Sequence, residues 1–121
     1  MDYQVIQSGE KNIIECTMIG SNLIKGEQDA LDLVAACGEN GTNLLLIHSE
    51  NLPPDFFQLK TGLAGRIMLK FTNYYLKVAA VLSQEEVNQG RFQEMVLETN
   101  RGHEFRVFYD LQKAIDWLVH D

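Results

Sequence analysis

The chain has 121 residues, of which 45% are hydrophobic and 22% are charged, and its formal net charge at pH 7 is −7. This length makes one ordinary domain, spanning residues 1–121, with enough chain to bury a sizeable core. The acidic balance argues against nonspecific binding to nucleic acid or to an anionic membrane, since both need a basic surface.

The N-terminal part of the chain predicts a β-hairpin. Residues 3–7 and 12–17 are β-prone runs, and the turn-forming residues 8–11, which include Gly9, separate them. The residues before the first run contain neither a basic region nor an apolar region of the kind that forms a secretory signal, so such a signal is not expected. No apolar run approaches the roughly 18–20 residues of a membrane span. We therefore expect a cytoplasmic protein.

Residues 27–38 show a helical stripe of small and apolar side chains, namely Ala30, Leu33, Val34 and Cys37. Either Gly38 or Gly41 can end this helix. The position of Cys37 on the stripe predicts a core residue, with a redox-active thiol as the alternative. Cys16 and Cys37 have neither CxxC spacing nor a nearby histidine, so we expect no metal site and no cofactor.

Two runs in the middle of the chain predict buried strands. Residues 43–48 form a continuous apolar run, and residues 74–82 form a second one rich in β-branched and aromatic side chains. Neither run alternates polar with apolar residues, so both faces of each strand must be covered. We predict that residues 44–47 and 78–82 are adjacent, parallel and central in the sheet.

Between these strands lie a loop and a helix. Pro53 and Pro54 keep residues 51–55 out of a regular helix. Residues 61–73 then predict a helix with Thr61 as its N-cap. One apolar face supports this helix, formed by Leu63, Ala64, Ile67, Met68 and Phe71.

The C-terminal part predicts two more helices around one strand. Ser83 and Glu86 form a capping-box pattern, and the helix that they start runs to residues 100–102 with Phe92, Met95, Val96 and Thr99 on one face. Residues 104–109 predict a strand. Asp110 then caps a last helix that is expected to bury Leu111, Ala114, Ile115 and Leu118.

The predicted element order is ββαβαβαβα. Strands that alternate with helices indicate crossover connections, and these favour a parallel sheet. The expected fold is therefore α/β, with a mostly parallel sheet of four or five strands, a leading β-hairpin and about four helices.

Residues 56–84 contain four basic residues and no acidic ones: Lys60, Arg66, Lys70 and Lys77. This segment carries +4, so the rest of the chain carries −7 − 4 = −11. One hypothesis is a surface for an acidic protein partner or a small anionic ligand. The other is an ordinary solvated helix face.

The stretch Lys60-Thr61-Gly62-Leu63-Ala64-Gly65 has the composition of a phosphate-binding loop. A Walker A loop places its Lys and Ser/Thr after the glycines, whereas Lys60 and Thr61 precede Gly62, so nucleotide hydrolysis is not predicted. A helix N-terminus beside Lys60 can still attract an anion. The alternative is that Thr61 only caps the helix.

His48 ends the first buried strand, where α/β sheets place many ligand crevices. His48, Ser49 and Glu50 are adjacent in sequence and point in different directions, and no G-x-S-x-G elbow is present, so a hydrolase is not favoured. The alternative is a partly buried, hydrogen-bonded histidine. Phe56 and Phe57, with Tyr74, would line an apolar pocket near His48 or else form a hydrophobic plug under the proline loop.

Three stretches carry a family resemblance: residues 46–57, residues 59–65, and Glu98-Thr99-Asn100-Arg101-Gly102. With them the chain resembles an uncharacterised bacterial family, domain of unknown function 4180. The resemblance covers nearly the whole chain and implies no activity.

The element order and residues 59–65 also resemble the STAS domain of anti-sigma factor antagonists. That pattern has Asp, Ser and Ser where Leu59, Lys60 and Thr61 stand here, and phosphorylation of its switch serine controls partner binding; Thr61 is adjacent to the switch position. The resemblance implies a STAS-like fold, while the acidic residue and the switch serine are absent from this sequence.

Together these features favour a non-catalytic binding or regulatory interaction module, because a complete small α/β fold comes with no catalytic constellation. The alternative is a small-ligand carrier or sensor with a pocket near His48, and an enzyme is the third hypothesis. The candidate binding residues, for a protein partner or a small anionic ligand, are His48, Phe56, Phe57, Lys60, Thr61, Arg66 and Lys70.

Overall fold

The computed structural model describes residues 2–120. Its centre is a five-stranded sheet in the order β1-β2-β3-β4-β5. The strands are β1 (Tyr3–Ser8), β2 (Lys11–Cys16), β3 (Leu44–His48), β4 (Lys77–Val81) and β5 (Phe105–Phe108). The β1–β2 pair is antiparallel and the other pairs are parallel. The predicted α/β fold with a leading hairpin is confirmed, as is the adjacent, interior placement of the two apolar runs.

Within residues 2–120, five α-helices complete the fold: α1 (Glu27–Glu39), α2 (Leu63–Asn73), α3 (Gln84–Val87), α4 (Arg91–Thr99) and α5 (Leu111–Val119). Three of them cover one face of the sheet. Leu33 of α1, Ile67 of α2 and Phe92 of α4 share a core with Ile14 and Leu45. Cys37 is buried in this core, as its place on the helical stripe predicts.

The second face of the sheet is packed by α5. Ala114 and Leu118 join Ile13, Leu46 and Ala79 in a separate apolar cluster. Side chains of a strand alternate between faces, so the fully apolar run of β3 supplies both clusters, with Leu45 on one side and Leu46 on the other.

Two lysines of the sheet hold the C-terminal end of α5. Lys77 Nζ donates to the carbonyl oxygens of Trp117 (2.7 Å) and His120 (2.9 Å), and Lys11 Nζ donates to that of Val119 (3.0 Å). Ammonium groups at this end satisfy carbonyls that a helix leaves unpaired and complement its dipole.

The strand order follows the chain order from β1 to β5. In open α/β sheets the ligand crevice forms where the strand order reverses and successive helices switch faces. Here α1, α2 and α4 stay on one face, so the parallel strands form no such crevice. A functional surface at the carboxyl ends of the parallel strands must therefore be built by the loops that follow them.

Helix α2 begins later than predicted, at Leu63 rather than Thr61. Thr61 belongs to a short 3-10 turn, Leu59–Thr61, and the N-cap is Gly62, with φ of +75°. The prediction that Thr61 is the N-cap residue was therefore wrong. The chain needs a left-handed residue to pass from the turn into the helix, and glycine adopts this conformation without strain. The Thr61 hydroxyl still accepts a hydrogen bond from the N–H of Leu63, the first residue of α2 (3.2 Å), and it donates to the carbonyl oxygen of Asp55 (2.7 Å).

The strand predicted to start at Tyr74 starts at Lys77. The N–H of Tyr75 bonds the Thr72 carbonyl and the N–H of Leu76 bonds the Phe71 carbonyl, so these residues form a Schellman end to α2. Tyr75 takes the left-handed position of this motif with φ of +61°.

The helix predicted from Ser83 is two helices. The Ser83–Glu86 capping box is confirmed, but α3 ends at Val87. Gly90 (φ +50°, ψ −120°) redirects the chain, and α4 starts at Arg91. In α5, Leu111 is 43% exposed and was wrongly predicted to be buried, because the buried stripe begins one turn later at Ala114. No helix within residues 2–120 is long and apolar enough to cross a membrane.

Candidate functional site

The segment after β3 is fixed in place by Asn51, which is 1% exposed. Its Oδ1 accepts a hydrogen bond from the His48 N–H (2.6 Å), and its Nδ2 donates to the Met18 carbonyl (2.7 Å). Its own carbonyl accepts from the Ile24 N–H (2.9 Å). One buried amide therefore ties the start of this segment to the connection that follows β2.

Three aromatic rings cluster at this place, two from the same segment (Phe56 and Phe57) and one from α4 (Phe92). Phe57 and Phe92 have ring centroids 5.3 Å apart, and Phe56 lies 5.6 Å from Phe57 and 6.0 Å from Phe92, all in edge-to-face geometry. Such pairs add about 0.5–1.5 kcal/mol each beyond their area burial. Phe56 is fully buried in the core, whereas Phe57 lies at the edge of the core and is 7% exposed.

Above these rings is an open cleft of about 330 Å³, which we call the Phe57–Phe92 cleft. Its lining consists of Phe57, Gln58, Leu59, Lys60, Gln89, Arg91 and Phe92. The first four residues follow β3 and the last three follow β4. They meet because β3 and β4 are parallel neighbours, so the segments that leave their carboxyl ends emerge side by side.

The lining of the Phe57–Phe92 cleft carries two cations, Lys60 and Arg91, and no carboxylate. Both side chains belong to exposed residues. Within residues 2–120 neither forms a salt bridge. The cleft is thus a locally positive site on a chain whose net charge is −7.

Arg66 and Lys70, the other predicted basic residues, are placed differently. The carboxylate of Glu27 on α1 lies 3.7 Å from Lys70 Nζ and 4.0 Å from Arg66 Nε. Arg66 also donates from Nη1 to the Thr61 carbonyl (3.2 Å). Arg66 and Lys70 therefore lie beside a carboxylate from another helix. Residues 56–84, which contain both cations, have no carboxylate of their own.

His48 lies away from the cleft, on the α5 face of the sheet. Its Nε2 is 2.7 Å from Oε2 of Glu15 on β2, and the two side chains are 19% and 13% exposed. The other oxygen of Glu15 accepts a hydrogen bond from Gln4. The structure pairs His48 with Glu15 and not with Ser49 or Glu50. His48 also lines none of the cavities described here within residues 2–120.

Other chemistry is limited in the part of the chain that the structure describes. Residues 2–120 contain no group of three His, Cys, Asp or Glu side chains placed to hold a metal ion. Both thiols are buried, and burial raises the pKa of Cys16 to about 11 and the pKa of Cys37 to about 12. At neutral pH both are protonated and therefore poor nucleophiles.

A second depression, of about 590 Å³, lies at the opposite end of the sheet and includes Lys11, Thr42 and Asn43 in its lining. It is larger than the Phe57–Phe92 cleft but contains no aromatic ring, and Lys11 is already engaged with α5. Its groups offer a ligand little beyond scattered polar contacts.

Of the predicted binding residues, the structure brings Phe57 and Lys60 together in the cleft, with Phe56 beneath it and Thr61 in the adjoining turn. Sequence reasoning missed Arg91 and Gln89. The signal was present, because adjacent parallel strands place their following segments together, and Arg91 follows β4. Glu15 and Glu27 gave no local signal, since their contacts depend on tertiary structure.

No curated protein and no solved structure matches the chain at a significant level. The STAS-like relationship therefore stays a prediction. The sequence does match, over residues 8–118, the family described as Domain of unknown function (DUF4180). This match spans nearly the whole chain and agrees with the resemblance noted in the sequence, so the chain belongs to this family.

Proposed function

We propose that this protein is a non-catalytic interaction module whose Phe57–Phe92 cleft receives one apolar side chain of an acidic protein segment. The observation that supports the proposal is the composition of the cleft. Two cations that form no salt bridge within residues 2–120, Lys60 and Arg91, lie beside an aromatic floor, and no carboxylate lines it. An apolar anchor flanked by Asp or Glu is the complement of such a site.

The size of the cleft favours a side chain over an enclosed small molecule. Pockets for small ligands have volumes of about 300–1,000 Å³ and bury 70–90% of the ligand. The Phe57–Phe92 cleft is near the lower limit at about 330 Å³, and it is open to solvent. One aromatic or aliphatic side chain fits such a depression, while Gln58 and Gln89 are exposed beside it to bond the backbone of the segment.

The expected affinity is modest. Burying an aromatic side chain of roughly 150–250 Å² at about 25 cal/mol per Å² gives an upper limit of about 4–6 kcal/mol. Each exposed charge contact adds about 0.2–1 kcal/mol, and loss of motional freedom offsets part of the sum. We therefore expect reversible binding that weakens with salt, which suits a regulatory contact.

Carriage of a small anionic ligand is the second candidate, because a small aromatic acid would use the same floor and the same cations. The earlier form of this hypothesis, a pocket at the end of β3 beside His48, gains no support from the geometry. His48 is held against Glu15 instead.

The test is an NMR titration of the ¹⁵N-labelled protein with a five-residue acidic peptide that has a central phenylalanine. Its counterpart with a central serine and free phenylacetate are titrated in parallel. The proposal expects shifts of amides around the cleft with the phenylalanine peptide, and much weaker shifts with the serine peptide. Equal affinity for phenylacetate and the phenylalanine peptide would favour the carrier. The absence of shifts around the cleft with every probe would overturn both functions.

A matched pair of variants separates the cleft from general charge. Each of two double variants changes the net charge from −7 to −7 − 2 = −9. The first is Lys60→Gln/Arg91→Gln at the cleft, and the second is Arg66→Gln/Lys70→Gln on α2. We expect the first pair to lose most of the peptide affinity and the second to keep it. Equal losses would show that the peptide senses overall charge and not the cleft.

A further inference from the structure

The two edge strands of the sheet, β5 and β1, differ in how their outward hydrogen-bonding groups are protected. On the β5 edge, the Asn100 side chain bonds both main-chain groups of Val107, accepting from its N–H (2.8 Å) and donating to its carbonyl (3.2 Å). An amide that occupies the hydrogen-bonding groups of an edge strand blocks the addition of another strand. Strand β5 is also short, at four residues. This edge is protected.

The β1 edge lacks these devices. Strand β1, Tyr-Gln-Val-Ile-Gln-Ser, contains no charge and no proline, and its six residues pair with β2 in unbroken register without a bulge. Soluble proteins usually place lysine, proline or a bulge on such an edge to prevent pairing with another chain. On a chain with net charge −7, a neutral edge is the place where two copies can approach most closely.

The register shows which groups of β1 face outward. Hydrogen-bonded and non-hydrogen-bonded pairs alternate along an antiparallel ladder. The Thr17 N–H bonds the Asp2 carbonyl (2.9 Å), so the even-numbered residues of β1 bond to β2. The N–H and C=O groups of Tyr3, Val5 and Gln7 therefore point away from β2, toward the free edge.

These outward groups are self-complementary. We propose that a second copy of this chain pairs with it through antiparallel β1 strands, about a two-fold axis at Val5. Such an axis is perpendicular to the sheet and keeps each face continuous, so it pairs Val5 with Val5 and Tyr3 with Gln7 of the second copy. Three bonded pairs with two hydrogen bonds each then join two five-stranded sheets into one of ten strands.

The side chains agree with this register. Val5 shares a face with Ile14, its partner on β2, yet it is 46% exposed. Contact with Val5 of the second copy would cover it. Because the interface rests on one strand pair and its flanking side chains, we expect it to bury no more than the lower end of the ~1,200–2,000 Å² of stable interfaces. We therefore expect a dimer that dissociates on dilution, with a Kd of about 1–100 µM.

The two-fold axis allows a direct test, because it places position 5 opposite itself. Sedimentation equilibrium compares the wild type, Val5→Lys, Val5→Glu and an equimolar mixture of these two variants. Leu97→Lys is the control, since it also puts a charge on an exposed apolar residue, on α4 and far from β1 in sequence. Far-UV circular dichroism confirms that each variant is folded.

The wild type and Leu97→Lys should rise from 13.8 kDa toward twice that mass with concentration. Each position 5 variant alone should associate at least about tenfold more weakly, and the mixture should recover the dimer because Lys faces Glu. A wild type that stays monomeric at millimolar concentration, or a mixture that fails to recover, would overturn the proposal.

Gln7→Pro gives a second route that does not depend on charge. Proline removes an N–H that points to the free edge and leaves the bonds between β1 and β2 intact. It should abolish the dimer without unfolding the protein. A Gln7→Pro dimer as tight as that of the wild type would contradict pairing through β1.

Discussion

Two pairs of basic residues lie within residues 60–91, and their surroundings in the fold differ. Arg66 and Lys70 on α2 have the carboxylate of Glu27 beside them, whereas Lys60 and Arg91 border a cleft whose lining has no carboxylate. The charge count along residues 56–84 ranks Lys60, Arg66 and Lys70 alike. The tertiary neighbour decides which cation is available to a ligand, and here it favours the cleft over the helix face.

The largest expected effect tests whether the floor of the cleft is part of the core. Phe92 is 1% exposed and contacts both Phe56 and Phe57, so Phe92→Ala should lower the free energy of unfolding by about 3–5 kcal/mol. Leu69→Ala, on the exposed side of α2, should change it by less than about 0.5 kcal/mol. Urea unfolding followed by circular dichroism measures both. A small loss at Phe92 would mean that the cleft is softer than its packing indicates.

The next effect concerns the attachment of the cleft segment. Asn51→Leu leaves the His48 N–H and the Met18 carbonyl without their partner, so we expect a loss of about 2–3 kcal/mol. Asn43→Leu is the control, since Asn43 is exposed and donates one hydrogen bond, to the Tyr75 carbonyl. Hydrogen exchange should speed up around residues 48–58 in the first variant. Equal losses in the two variants would argue against a special role for Asn51.

Two glycines near Lys60 and Arg66 should respond with opposite signs. Gly62 has φ of +75°, a backbone conformation that alanine adopts only with strain, so Gly62→Ala should destabilise by about 1–2 kcal/mol. Gly65 is helical with open space around it, so Gly65→Ala should stabilise by about 0.5–1 kcal/mol. Thermal unfolding of both variants measures the difference. The same sign for both would contradict this account of the start of α2.

The smallest expected effect on stability comes from removing the carboxylate that distinguishes the two basic pairs. Glu27→Gln removes the shared carboxylate from Arg66 and Lys70, with an expected loss of about 0.2–1 kcal/mol because the ion pairs are exposed. The acidic peptide with the central phenylalanine should then also perturb amides of α2 at low salt, while its affinity for the cleft stays the same. If the peptide shifts α2 amides equally in wild type, the pairing with Glu27 has no influence on which cations are available.

The sequence predicted the parts of the fold that follow from local patterns. The apolar runs at β3 and β4, the Ser83 capping box and the Asp110 cap are set by neighbouring residues, and each is confirmed. The start of α2 and the break before α4 were missed. Each depends on a glycine with positive φ, and a glycine in a sequence does not reveal which conformation it adopts.

The candidate site was predictable only in part. Phe57 and Lys60 were named because they lie in one stretch of sequence, but Arg91 reaches the cleft from the next connection. The pairing of His48 with Glu15 depends on the position of β2 beside β3, which the element order leaves open. Contacts between side chains distant in sequence require strand order and register, and local periodicity contains neither.

The position of α5 at the end of the described chain has a consequence for synthesis. The face that bears Ile13, Leu46 and Ala79 is complete once β4 has formed, yet its cover consists of residues 111–119. During synthesis, this apolar face of the sheet therefore has no cover until the α5 helix has emerged from the ribosome. Lys77 and Lys11 can bond the carbonyl groups at the end of α5 only after that. A chain that ends before residue 111 lacks the cover of this face, and we expect it to aggregate through the exposed apolar side chains Ile13, Leu46 and Ala79.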